Sequence, residues 1–358
     1  MKALVTGANG LIGAHLVRAL LADGHQVRAF VRPTSDLRSL DGLEVDLAYG
    51  DVLRPETLEA AAKGCELLFH TAAVYTYRGQ RLSRLKTIAV EGTLHAIEAA
   101  HKAGIRRMVF TSSSVVFGSS LRPTLRDESF KLGQEQAPPY VGAKVAQDRA
   151  AFERAEARGL ELIGVCPTIC VGAHDYRLGP SNEVIVAYLK DPFKITYPGG
   201  GNVVSVSDVA RGHLLAARSG TPGERYLLGS ENLEWSTMHR MISELCGVQG
   251  PYVFTNHTGA YLAATADEVF SWLMRKPPTT SREQAKMVGR YYWYSHARAE
   301  ALGYAPRPAQ QALAEAISWL VSSTHISRGL RASLKLSPEI YAVRKARQQQ
   351  AARAGASR

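Results

Sequence analysis

Thr6-Gly7-Ala8-Asn9-Gly10-Leu11-Ile12-Gly13, preceded by the apolar run Ala3-Leu4-Val5, is the stretch on which the reading of this 358-residue chain turns. Ala3 to Thr6 suits a buried strand. Gly7 and Gly10 permit a tight turn, and Gly13 lets the following helix approach the sheet. Free N–H groups at the start of that helix suit an anion, and a pyrophosphate is the usual one. The segment is not read as an export signal, because Asn9, His15, Arg18 and Asp23 interrupt its apolar character.

Working outward, strand-like and helix-like stretches alternate. A helix is expected from Leu11 to Ala22, a strand from Gln26 to Val31, a strand from Leu43 to Tyr49 and a helix from Pro55 to Lys63. Short apolar strands follow at Leu67–His70, Met108–Ser112 and Leu160–Cys166, separated by long helical patterns over Lys86–Ala103 and Val141–Arg158. Repeated strand–helix alternation predicts a doubly wound parallel α/β sheet with right-handed crossovers. After Gly172 the pattern loosens into Gly- and Pro-rich loops with helices near Ser236–Leu245 and Tyr261–Met274. The expected organisation is a dinucleotide-binding domain (1–172 with 202–230), a smaller C-terminal substrate lobe (173–201 with 231–324) and a basic tail (325–358).

The composition, 46% hydrophobic and 21% charged, is that of a globular protein, and no stretch resembles a membrane span. Cys65, Cys166, Cys170 and Cys246 form no C-x-x-C pair, which suits buried thiols in a reducing, cytoplasmic setting. The eleven histidines show no metal-binding spacing, so no metal is assigned. Eight Lys/Arg and one acid between residues 325 and 358 supply +7 of the net charge of +11, so the basic character is mostly a tail. That tail is expected to be a frayed or disordered extension, with attraction to an anionic membrane as the lesser alternative. Without interleaved aromatics it gives no nucleic-acid groove.

Two further stretches carry chemistry. Tyr140-Val141-Gly142-Ala143-Lys144 opens a helical pattern, and a spacing of four puts phenol and ammonium on one face. A nearby cation favours phenolate, so the phenol can exchange a proton with a hydroxyl or carbonyl oxygen. Upstream, a strand runs into Thr111-Ser112-Ser113-Ser114, hydroxyls suited either to capping a turn or to fixing a substrate oxygen.

Taken in order, the glycine loop, Gly50-Asp51-Val52, His70-Thr71-Ala72-Ala73, the serine cluster and Tyr140/Lys144 resemble the extended short-chain dehydrogenases/reductases over residues 1–320. The resemblance implies a Rossmann-type fold and a Ser113-Tyr140-Lys144 site. Tyr140 would be the acid/base, Lys144 would bind the nicotinamide ribose and Ser113 would hold the substrate oxygen. It also implies that Gly7, Asn9, Gly10, Leu11, Ile12, Gly13, Arg32, Asp51, Val52, Thr71, Ala72, Ala73, Pro167 and Thr168 line the cofactor, together with Tyr140 and Lys144. Arg32 stands at the end of the second strand, where an NAD enzyme usually places an acid. With Arg28 and Ser35 nearby, it favours NADP (NADPH), NAD being the alternative. One departure is Ala89-Val90-Glu91-Gly92-Thr93, where the family often has Asn at the first position.

Ser114 and Val115 stand where sugar-nucleotide dehydratases carry an acid pair, which disfavours dehydration. Val27 to Arg32, Gly223 to Gly229 and Ala301 to Tyr304 resemble the subgroup of dihydroflavonol 4-reductases and hopanoid-associated sugar epimerases. Reduction of a small-molecule ketone or aldehyde is the preferred expectation. The alternatives are a sugar epimerase acting through a transient ketone and a non-catalytic NADP sensor. For an epimerase, Arg177, Asn182, Arg282 and Arg290 are candidates to hold a diphosphate, whereas the apolar helical stretch Tyr261–Met274 would cover an apolar substrate or form core. The pocket is expected from loops around Tyr75–Arg78, His174–Arg177 and Tyr261–Trp293, and family analogy suggests a homodimer.

Overall fold

The computed structural model describes residues 1–72, 82–130, 132, 139–274, 285 and 288–356. Its centre is a seven-stranded parallel sheet. In chain order the first half runs β1 (Lys2–Thr6), α1 (Leu11–Ala22), β2 (Gln26–Val31), β3 (Asp46–Tyr49), α2 (Pro55–Ala62), β4 (Leu67–His70), α3 (Leu82–Lys102), β5 (Arg107–Thr111), α4 (Pro139–Ala157) and β6 (Glu161–Pro167). The chain then makes β7 (Ile169–Val171), α5 (Pro180–Lys190), β8 (Ile195–Thr196), β9 (Gly200–Ser205) and α6 (Val206–Ser219), and returns to the sheet as β10 (Arg225–Leu228). The sheet order is β10-β6-β5-β4-β1-β2-β3, so the direction of winding reverses beside β1.

Both faces of the sheet are covered, which explains its near-continuous apolar strands. Ala3 and Val5 point to a core shared with Leu16, Val17 and Leu20 of α1 and Val209 of α6. Leu4, between them, points to the opposite core with Leu58, Ile97, Met108, Phe110 and Ala151. β3 starts at Asp46 rather than Leu43, because Leu43 and Val45 pack against the first core from an irregular segment that follows Gly42 in its left-handed conformation.

The rest of the chain adds β11 (Glu231–Glu234), α7 (Trp235–Cys246), β12 (Val253–Phe254), α8 (His257–Leu273), β13 (Tyr291–Tyr292), α9 (Ala297–Glu300), α10 (Ala309–Leu320), α11 (Arg328–Ser333) and α12 (Pro338–Ala356). β9 pairs with β7, β11 and β13 in a second sheet. This part has its own core, built from Ile185, Met238, Ile242, Leu313, Ile317 and Leu320.

One expectation is corrected here, and one of two open readings is dropped. The basic tail is helical over 328–333 and 338–356, and its first part is docked rather than frayed: Ile326 and Ile340 are buried in the second core. Lys335 N–H donates to Cys246 O, and Ser337 N–H donates to Leu245 O, each at 2.9 Å. The apolar stretch around Tyr261–Met274 is not core. Among the described side chains of α8 the buried ones are the small residues Ala264 and Ser271, while Leu262, Phe270 and Leu273 are more than 60% exposed. Among the described residues, no helix is long and apolar enough to cross a membrane.

Candidate active site

The glycine loop shows why glycine is required at two positions. Gly7 has φ +68°, and a Cβ there would lie 2.8 Å from the Ala72 backbone. A Cβ on Gly13 would lie 2.2 Å from Gly7 O. The loop therefore rests directly on the end of β4, where Thr71 Oγ1 donates to Thr6 O at 2.7 Å. α1 begins behind it at Gly10 with no side-chain cap and no acid in its first turn. Its uncapped N–H groups and the side-chain-free cradle fit the pyrophosphate of a dinucleotide.

The turn after β2 lies beside the glycine loop. Arg32 is exposed at the strand's C-terminal end, and its N–H donates to Ser35 Oγ at 3.2 Å. Asn9 Nδ2 donates to Asp36 O, and Ser39 Oγ to Asn9 O, each at 3.0 Å, tying this turn to the glycine loop. Arg28 does not join Arg32. Its guanidinium is held by Asp46 at 2.7 Å and by the carbonyls of Ala61 and Lys63 at 2.8 Å. Asp51 Oδ1 caps Leu53 N–H at 2.9 Å, and Val52 packs against Gly92 of α3. Ala73 and the Tyr75–Arg78 loop lie outside the described residues.

At the C-terminal end of β5 the four hydroxyls separate. Thr111 donates to His213 Nε2 at 2.8 Å and Ser112 to Asp148 Oδ1 at 2.6 Å, while Ser114 pairs with the buried Tyr294 phenol. Ser113 is half-buried, and among the described residues its hydroxyl has no partner. Asp148 is fixed in turn by Arg225, whose Nε donates to Oδ2 at 2.8 Å and whose guanidinium lies 3.6 Å over the Phe152 ring.

Tyr140 and Lys144 stand one turn apart near the start of α4. Tyr140 is half-buried and Lys144 is 4% exposed. Burial pushes the Lys144 ammonium down to about 8, against the opposing pull of Asp148 and Cys166. Burial likewise pushes His70 down to about 3, so its ring is neutral. Pro167 and Thr168 follow at the end of β6, where the Thr168 hydroxyl donates to Asn202 Oδ1 at 2.9 Å.

Two candidate diphosphate ligands move elsewhere. Asn182 is fully buried and bonded to Gly172 and Asp175, so it serves the loop itself. Arg177 lies near Arg32 and Asp36 in the segment packed against the glycine loop. Arg290 approaches Ser119 at 3.5 Å, and Arg282 lies outside the described residues. A cavity of about 560 Å³ opens at the opposite, N-terminal end of the sheet, beside Leu20, Phe69 and Arg107, remote from these groups. Sequence reasoning missed Gln147, Thr93 and Asp148; the i+3 and i+4 spacing from Lys144 is the signal that could have found the first and last.

A parallel sheet wound 3-2-1-4-5-6, with a glycine loop beside its point of reversal, defines a Rossmann-type dinucleotide-binding protein. Residues 3–229 match the NAD dependent epimerase/dehydratase family. A putative dihydroflavonol 4-reductase of Synechocystis sp. is 32% identical over 335 residues, covering 90% of this chain and 95% of that protein. Sterol demethylase protein B of Methylococcus capsulatus is 32% identical over 332 residues, covering 89% and 98%. The solved structure of a nucleoside-diphosphate-sugar epimerase from Pseudomonas aeruginosa superposes with a TM-score of 0.73 at 25% identity, covering 91% and 99%. The chain belongs to the NAD dependent epimerase/dehydratase family, within the extended short-chain dehydrogenases/reductases.

Proposed function

We propose that the protein is an NADP-dependent reductase that converts a ketone or aldehyde to an alcohol, with Ser113, Tyr140 and Lys144 around the reacting oxygen. The observation that carries this reading is the division of the hydroxyls at 111–114: three are engaged with other side chains, and Ser113 remains for a substrate. The Ser113 hydroxyl donates to the carbonyl oxygen and holds it near Tyr140. The Tyr140 phenol passes its proton to that oxygen as the carbon is reduced. Lys144, buried one turn away, favours release of that proton and binds ribose hydroxyls. Gly7, Gly13 and the α1 N-terminus seat the pyrophosphate, and Arg32 faces the 2′-phosphate. When bound, the nicotinamide supplies the hydride.

Reduction is favoured over sugar epimerisation because Asn182 and Arg177, two candidate diphosphate ligands, are placed elsewhere. The names of the Synechocystis and Methylococcus relatives also point to small apolar or phenolic substrates rather than sugar nucleotides. A turnover panel of ketones, aldehydes and nucleoside-diphosphate sugars, run with NADPH and NADH, tests the reading. Net NADPH oxidation with a carbonyl compound, abolished in Tyr140→Phe while NADPH still binds, supports it. Sugar interconversion without net cofactor consumption identifies an epimerase, and binding without either reaction identifies a sensor.

A further inference from the structure

Behind Lys144 lies a polar chain that joins four elements, α4, α3, β4 and β1. Lys144 Nζ donates to Gln147 Oε1 at 3.0 Å, and Gln147 Nε2 donates to Thr93 Oγ1 at 2.8 Å. Thr93 Oγ1 donates to Ala89 O at 2.8 Å, so towards His70 Nε2, 3.2 Å away, it accepts. The His70 proton therefore sits on Nε2, and Nδ1 accepts from Thr6 Oγ1 at 2.9 Å, on the strand that leads into the glycine loop. An ammonium can only donate, which fixes the orientation of the Gln147 amide, with its oxygen to Lys144 and its nitrogen to Thr93.

Every member of this chain is buried or nearly so: Gln147 and Thr93 are each 1% exposed, as is His70. Buried polar groups need hydrogen-bond partners, and both the oxygen and the nitrogen of the Gln147 amide have one. The central link of the chain is an amide, which neither takes up nor releases a proton near neutrality, and the Thr93 hydroxyl hydrogen is committed to the Ala89 carbonyl. The chain is thus an orienting device rather than a proton wire.

We propose that Gln147 is the positioning residue of the active site, its amide holding the Lys144 ammonium in place and anchoring it through Thr93 and His70 to the base of the glycine loop. The role assigned to Lys144 rests on the function proposed above. Among the described residues the groups that act on Lys144 are Asp148 on its own helix, held by Ser112 and Arg225, the Cys166 thiol on β6, neutral His70 on β4 and the Gln147 amide. Asp148 and Cys166 favour the ammonium and burial opposes it. An amide oxygen 3.0 Å from Nζ also favours the charged form.

The test is a titration of the Lys144 side chain by ¹³C NMR in the full-length protein, the resonance being assigned by its loss in Lys144→Met. In the wild type it is expected to titrate near 8, lowered by burial from the ordinary lysine value. Gln147→Leu removes the acceptor and lowers the titration by about one unit, whereas Gln147→Glu places an anion there and raises it by at least as much. Turnover follows. Gln147→Leu loses roughly tenfold in kcat with a nearly unchanged substrate KM, as expected for a lost bond to a charged group, and its alkaline limb moves to lower pH. Gln147→Glu restores most of kcat with the limb moved up. A Lys144 titration at the wild-type position in either folded variant overturns the proposal; if Gln147→Leu does not fold, Gln147→Glu decides. Wild-type turnover in Lys144→Met overturns the catalytic reading instead, and the titration still judges the contact.

Discussion

The Arg38 guanidinium lies 4.6 Å from the centroid of the Tyr176 ring, joining the turn after β2 to the segment after β7 across the glycine loop. Arg38 also bonds Asp36, whose carboxyl is held down to about 2 chiefly by those hydrogen bonds. The junction brings Arg177 close enough to Arg32 that the Arg177 cation is disfavoured, first by its surroundings and then by the Arg32 charge. Two guanidiniums gathered at the end of β2 suit a dianionic phosphate.

The first prediction follows from that pair. Arg32→Asp weakens NADPH binding by on the order of 10- to 100-fold and leaves NADH binding nearly unchanged. Arg177→Ala has a smaller effect in the same sense. Dissociation constants from cofactor fluorescence check both; equal losses for the two cofactors would remove the 2′-phosphate from the explanation.

Two glycine substitutions should act in opposite directions. Gly13→Ala forces a Cβ against Gly7 O and costs on the order of 3 kcal/mol of stability, together with dinucleotide binding. Gly142 lies within α4 with none of the described residues within 4 Å of the position a Cβ would take, so Gly142→Ala gains roughly 0.5–1 kcal/mol of helix stability. Urea denaturation of the cofactor-free variants measures both.

Neighbouring serines separate structure from chemistry. Ser112→Ala deprives the buried Asp148 carboxylate of a 2.6 Å bond and destabilises the fold by roughly 1–3 kcal/mol. Ser113→Ala leaves stability within about 0.5 kcal/mol of wild type. The same variant lowers kcat by about 10²–10³. Thermal unfolding and steady-state kinetics on the pair supply the check, and a Ser113→Ala enzyme with full kcat would exclude its contact with the reacting oxygen.

Acid should weaken the fold before most carboxylates titrate. Burial holds His70 down to about 3, His213 to about 4 and His239 to about 4, from an ordinary value of 6.5. As pH falls below about 6.5 the unfolded chain takes up three protons that the folded chain refuses, so stability drops through the window from 6.5 towards 4. The urea midpoint measured from pH 7 to 4.5 should decline accordingly, and His213→Gln should flatten the decline. A midpoint independent of pH across that range would contradict the buried, neutral assignment.

The glycine loop, the Tyr140–Lys144 spacing and the alternation of elements were legible because each depends on neighbours within a turn or two along the chain. Arg28 was misread because its fate depends on register: parallel pairing sets Arg28 opposite Asp46, a match that no local pattern announces. Leu262, Phe270 and Leu273 have a spacing that suits a core helix equally well, and only the position of α8 at the edge of the lobe leaves them outward. Arg177 and Gln147 were hidden for a similar reason. Their partners, Arg32 and Thr93, lie 145 and 54 positions away and meet them only through the crossovers.

β6 has no neighbour on its outer side until β10 returns, with Arg225 opposite Gly164 and Leu228 opposite Pro167. During synthesis, β7, α5, β8, β9 and α6 all emerge before the strand that covers this edge. A nascent chain that has finished the nucleotide-binding loops thus still carries an open template for mispairing, and closure must wait until part of the lobe has been made. The two parts of the protein are bound by order of assembly as well as by contact, and cutting the chain between β6 and β10 would yield a sticky fragment rather than a free-standing nucleotide domain.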